Sequence, residues 1–232
     1  MARRVSEETK EKTRGFGRYD RWRPWVTCAE VPSTGTTSEI PDWKHGRSVQ
    51  LLSTGERWAY LINRWDDRVD DINEQFPLPL DATNEIARIL HYKPVNNGRT
   101  HVTTDLLIWY LDGTQKAYSV KADKSATHPE MRAAAKDQDD VYRTLEKLAI
   151  ERYYWEQIKG VKWELIYRTE LNGIFAENIA AVCKFYNINE VFDKPSLAMH
   201  LAATKKLRID MTKEAVNFVN VAANLNWSDY DR

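Results

Sequence analysis

The sequence predicts an α/β or α+β fold: a sheet flanked by helices, closing near residue 168, with a small helical part after it. Three observations carry this. Hydrophobic periodicity changes along the chain in the order helix, strand, hairpin, helix, strand. Residues 101–111 (HVTTDLLIWYL) are dense in branched and aromatic side chains, and Asp112-Gly113 behind them is a hairpin turn signal. After Thr169 only helical patterns remain.

In chain order, residues 1–27 hold eight Arg or Lys against four acids, with Phe16, Tyr19, Trp22 and Trp25 interleaved. They read as a basic arm, either a solvated mobile tail or a segment that touches phosphates. Residues 28–47, with Pro32-Ser33-Thr34-Gly35 and Pro41, read as loop. Residues 48–65 predict a helix through Leu51, Trp58, Leu61, Ile62 and Trp65. A strand follows at 68–76, then a short helix at 80–91 capped by Asp81 or Thr83. The hairpin pairs 101–111 with 115–121. Residues 122–138 are a polar loop, a flap or a connector. A long helix spans about 139–159, with Val141, Leu145, Leu148 and Trp155 on one side and Arg152 with them. Residues 161–168 form one more strand, and helices follow at about 172–186, 195–206 and 211–224. The expected domains are 1–27, 28–168 and 169–232.

The 232 residues are 42% hydrophobic and 29% charged, a globular mix with enough chain for a core. Lys plus Arg and Asp plus Glu both number 34, which argues against a generally basic nucleic-acid coat. The longest apolar run, 106–111, falls far short of the roughly 20 residues of a membrane span. The charged start shows no secretory signal. Cys28 and Cys183 make no disulfide framework and no zinc spacing, which fits a reducing cytoplasm.

Strand alternation puts Asp105, Leu107 and Trp109 on one face of the hairpin, and Ser119 and Lys121 on one face of the return strand. With Gly113 at the left-handed position of the turn, Tyr110 faces Thr114 and Asp105 faces Ser119, with Lys121 diagonal to it. An acid in the middle of an apolar strand is costly to bury without a partner or a metal. Glu56, sharing a strip with Leu52 and Ala59, is placed to join from the sheet edge. Two carboxylates and a lysine are what metal-assisted phosphodiester cleavage requires. The same pattern also describes a purely structural Asp–Lys pair.

Several words then recur in a family's order and spacing: Arg23-Pro24-Trp25-Val26-Thr27, Glu30-Val31-Pro32-Ser33, His45-Gly46-Arg47, and Leu51-Leu52-Ser53 with Glu56. Next come Ile72-Asn73-Glu74-Gln75-Phe76-Pro77-Leu78, Thr103-Thr104-Asp105-Leu106-Leu107 and Val120-Lys121. Arg143-Thr144-Leu145-Glu146-Lys147-Leu148 and Glu151-Arg152-Tyr153-Tyr154-Trp155 complete the set. Over about 18–168 the chain resembles the TnsA-type endonucleases of heteromeric bacterial transposases, members of the restriction-endonuclease-like PD-(D/E)xK superfamily. The resemblance implies a mixed β-sheet core flanked by helices. It places the helix acid on Glu56, the metal-binding strand acid on Asp105 and the strand lysine on Lys121. The family usually has Gln where this chain has Ser119. It implies Mg²⁺, with Mn²⁺ as a substitute, held by Glu56 and Asp105, and cleavage of the 5′ ends of a transposon in a bacterial cytoplasm. The implied partners are transposon-end DNA, a TnsB-type transposase and a TnsC-type ATPase, the last contacting the helical C-terminal part. Arg21, Arg23, Trp25 and Gln75 are the candidate DNA contacts, and Gln75 reads equally as a structural hydrogen-bonder. Two alternatives are a free-standing nuclease of the superfamily and a non-catalytic subunit bridging transposase and ATPase.

Overall fold

The computed structural model describes residues 5–31, 36–132, 135–188 and 193–230. Arg3, Arg4 and the Pro32-Ser33-Thr34-Gly35 word lie outside them. Two compact units divide the chain between Leu171 and Asn172.

The first unit runs α1 (Glu7–Thr13), β1 (Ser38–Pro41), β2 (Ser48–Leu51), α2 (Thr54–Trp65), β3 (Val69–Pro77), α3 (Leu80–Ile89), β4 (Thr103–Tyr110), β5 (Gln115–Lys121), α4 (Ala135–Tyr153) and β6 (Lys162–Tyr167). Strands β3-β4-β5-β6 form the main sheet in that order, antiparallel except for the parallel pair β5 and β6. This mixed sheet with flanking helices is the restriction-endonuclease-like arrangement. Tyr110 N donates to Thr114 O at 2.9 Å, and the ladder runs Trp109↔Gln115 to Leu106↔Tyr118, a frame in which Asp105 stands opposite Ser119. A parallel neighbour needs a crossover, and the segment carrying α4 supplies it.

Alternation sorts the sheet into two faces. Leu107 and Ala117 pack with Ile86 and Ala87 of α3, with Ile150 of α4, and with Tyr154 and Trp155. Helix α2 packs against β3, β4 and β5. Among the described residues no helix is long and apolar enough to cross a membrane.

Several sequence expectations need correction. The predicted helix over 48–65 is strand β2 followed by α2. Val49, Gln50 and Leu51 are buried and pair with β1, which itself falls in a stretch read as loop. An apolar run of this length fits a buried strand as well as a helix, and Ser53 begins the helix as its cap. Helix α3 has Pro79 before it and no side-chain cap. Thr83 Oγ1 instead donates back to Leu80 O at 3.0 Å, from inside the helix. Helix α4 starts earlier than expected and passes into a π-helical turn, Tyr154–Ile158. Its buried side carries Glu151, whereas the Arg152 side chain is 62% exposed and paired with Glu156 at 2.7 Å.

Several described residues of the basic arm are packed within the first unit. Glu30 is the anchor. Arg14 pairs with it, Lys10 lies at 3.5 Å, and Thr27 N and Oγ1 donate to it at 3.1 and 3.0 Å. Arg18 binds Asp70 at 2.6 Å. Trp22 stacks on Phe76 and donates to Glu74 O. Lys10, Arg14 and Arg18 are therefore spent inside the fold, whereas Lys12, Arg21 and Arg23 stay exposed.

The second unit contains α5 (Gly173–Cys183), α6 (Lys194–Ala203) and α7 (Phe218–Asn224). Asn172, Asp193 and Asn217 cap them through side-chain oxygens. The helix expected over 211–224 forms only in its second half. Buried Asn178 donates to Met211 O and Glu214 O at 2.8 and 2.7 Å and accepts from Val216 N at 3.1 Å, so three backbone groups of the stretch 211–217 are satisfied by this one side chain.

Candidate active site

The start of α2 meets the main sheet beside β5. Ser53 Oγ caps α2, accepting from Glu56 N at 3.1 Å, and donates to Glu56 Oε1 at 3.0 Å. Leu52 N donates to Glu56 Oε2 at 2.9 Å. These bonds fix the buried Glu56 carboxyl at the positive end of the helix. Gly55 makes the approach possible. A Cβ there would lie 3.0 Å from Val120 Cγ1 and 3.1 Å from Arg168 Cβ.

Gln75 bridges the two acids. The ladder pairs Glu74 with Leu106 and Phe76 with Thr104, which sets Gln75 opposite Asp105. Its φ is +49°, a conformation that side-chain-bearing residues rarely adopt. Nε2 donates to Glu56 Oε2 at 3.1 Å and to Asp105 Oδ1 at 3.4 Å, while Oε1 accepts from Thr103 Oγ1 at 3.2 Å. Asp105 Oδ2 accepts from Val120 N at 2.7 Å. Asp105, Ser119 and Lys121 line one cavity of about 510 Å³, whose far wall is α4 with Thr144, Leu148 and Glu151. Lys121 Nζ donates to Val120 O at 3.2 Å.

The electrostatics are lopsided. Burial, then the charge of Asp105, pushes the Glu56 carboxyl up to about 8, against the pull of its hydrogen-bond donors. Burial and Asp105 likewise push Glu151 up to about 7. Glu151 Oε2 accepts from Ser119 Oγ at 2.6 Å, and its Oε1 has no hydrogen-bond partner. The cluster is a set of hard oxygen donors short of positive charge. Carboxylate oxygens of this kind suit a hard divalent cation.

The proposed DNA contacts divide. Arg21 and Arg23 are exposed. Trp25, a candidate DNA contact, is 3% exposed and packed on His101 with ring centroids 4.2 Å apart, a core position. Gln75, also buried, sits inside the acid cluster rather than on an outer surface.

Residues 66–168 match the family described as TnsA-like endonuclease N terminal. Over 181 residues, 77% of the chain, the sequence is 38% identical to the Transposon Tn7 transposition protein TnsA of Escherichia coli. Over these residues the chain is similar to TnsA-like endonucleases. It spans 60% of the length of that Escherichia coli relative.

In this TnsA-like chain the quoted words do different jobs. Arg47 forks onto Glu74 with contacts of 2.8 and 2.7 Å, both side chains buried, and Gln50 N adds a third bond to Glu74. Asp42, His45 and Asp71 place ligand-type atoms within 4.8 Å of one another. Arg64 already occupies that cluster, its Nε 3.0 Å from Asp42 Oδ1 and a terminal nitrogen 2.9 Å from His45 Nδ1. Burial and Arg64 push the His45 imidazole down, toward the neutral form. The guanidinium supplies the positive charge, which makes this a structural network.

Sequence reasoning missed Glu151 as a site residue. A signal existed: Glu151 lies three residues after Leu148 and four before Trp155, on their helical stripe. Arg152 satisfies the same spacing in reverse, and the phase was assigned to it.

Proposed function

We propose that this TnsA-like chain is a Mg²⁺-dependent DNA endonuclease that cuts the 5′ ends of a transposon during cut-and-paste transposition. A TnsB-type transposase would process the 3′ ends, and a TnsC-type ATPase would be the other partner. The observation that carries the reading is the Gln75 bridge between Glu56 and Asp105, together with the cavity that Asp105 lines with Ser119 and Lys121.

Glu56 and Asp105 hold the cation, which when bound lowers the pKa of water and stabilises charge on the phosphoryl oxygens. Gln75 spaces the two carboxylates. Lys121 orients the attacking water and offsets phosphate charge, a role for a compact ammonium with three donors. The bonds from Ser53 and Leu52 keep Glu56 in place while charge builds, so the site reorganises little.

The test is cleavage of a transposon-end substrate with both partners present. Mg²⁺ or Mn²⁺ should support 5′-strand cleavage, and Ca²⁺ should support assembly without it. Asp105→Ala should stop 5′ cleavage and leave 3′-end joining intact. Full cleavage in EDTA would sink the metal reading, and undiminished excision by Asp105→Ala would favour a non-catalytic assembly subunit.

A further inference from the structure

Glu151 is used by none of the steps above, yet it is the site's most exposed contradiction of burial rules. It is 3% exposed, lines the cavity with Asp105 and Lys121, and leaves Oε1 without a hydrogen-bond partner. A buried charged oxygen is ordinarily paired or coordinated. Its other oxygen is fixed by the 2.6 Å bond from Ser119 Oγ. A serine hydroxyl has one proton to donate, and here that proton goes to Glu151. Ser119 on β5 therefore aims a carboxylate that comes from α4.

We propose that Glu151 supplies the third carboxylate of the metal centre, with Oε1 turned to the cation and Ser119 acting as its positioning residue. The acid charge that β5 lacks at position 119 is delivered from the crossover helix. The proposal rests on the metal-dependent nuclease reading of the same cavity. It also gives Glu151 a reason to stay buried beside Asp105 where a neutral side chain would cost less.

The test is Mn²⁺-dependent thermal stabilisation of the full chain, without DNA, for the unaltered protein and for Glu151→Gln, Ser119→Ala and Asp105→Asn. Gln retains the shape and accepts the Ser119 bond, so metal-free Glu151→Gln should melt no lower than the unaltered protein. Its Mn²⁺ midpoint should rise about tenfold or more. Ser119→Ala should raise the midpoint by less, because the charge remains. An unchanged midpoint in Glu151→Gln, with a raised one in Asp105→Asn, would overturn the role of Glu151 and leave the two-acid centre standing. A Ser119→Ala loss as large as that of Asp105→Asn would mean that Ser119 holds the cation itself, which also overturns the proposal. No Mn²⁺ response in the unaltered protein would remove the metal centre altogether.

Discussion

Glu30 shows how a single side chain can hold a segment. Burial pushes its carboxyl up, but Arg14, Thr27 and Lys10 outweigh burial and hold it at about 2 against an ordinary 4.5. A carboxyl depressed in the folded state adds stability above the unfolded value and loses it as pH falls toward the folded one. The melting temperature should therefore drop between about pH 4.5 and 2 more steeply in the unaltered protein than in Glu30→Gln, with Glu30→Gln the less stable at pH 7. Parallel melting curves across that window would remove the anchor role. At the cavity, Lys121 and Ser119 should separate in single-turnover cleavage. Ser119→Ala, which loses a positioning bond, should slow the reaction about tenfold, or about 1.4 kcal/mol of barrier. Lys121→Ala removes the ammonium and should cost far more. Equal losses would put the two residues in one role.

At the scale of elements, Gly55 decides how near α2 comes to β5. Alanine usually stabilises a helix relative to glycine. Here the added methyl meets Val120 and Arg168, so Gly55→Ala should destabilise by about 1–3 kcal/mol and slow cleavage by lifting Glu56 away. A more stable, fully active Gly55→Ala would show that the contact yields easily. The hairpin was legible in the sequence down to its register, because period-two alternation and an Asp-Gly turn fix both face and frame. Strands β1 and β2 were not: one lies in a stretch without apolar rhythm, the other in a run too short to separate strand from helix. The acids Glu56 and Asp105 were legible as residue types at a spacing. Glu151 was hidden by the phase of α4, since helical spacing from Leu148 and Trp155 serves 151 and 152 equally. The non-helical first half of the segment expected as a helix over 211–224 was equally hidden, because its hydrogen bonds depend on Asn178, more than thirty residues earlier.

For the whole molecule, the division after Leu171 separates the cavity-bearing unit from a helical one with its own core around Ile179, Ala198, Leu201 and Phe218. If the second unit carries the ATPase contact, deleting residues 172–232 should abolish co-purification with a TnsC-type ATPase. Retained association would place that contact on the first unit.

The parallel pair β5 and β6 has a consequence for how the protein is made. Lys121 pairs in register with Tyr167, and everything between them must be threaded before that pairing closes. Loop closure over such a separation comes late relative to a local hairpin. A growing chain thus displays Asp105 and Lys121 on a finished hairpin while Glu151 and the wall it belongs to are still unplaced. If the cavity is the proposed nuclease centre, it comes together only when the crossover docks, so newly made, half-folded copies carry no complete site.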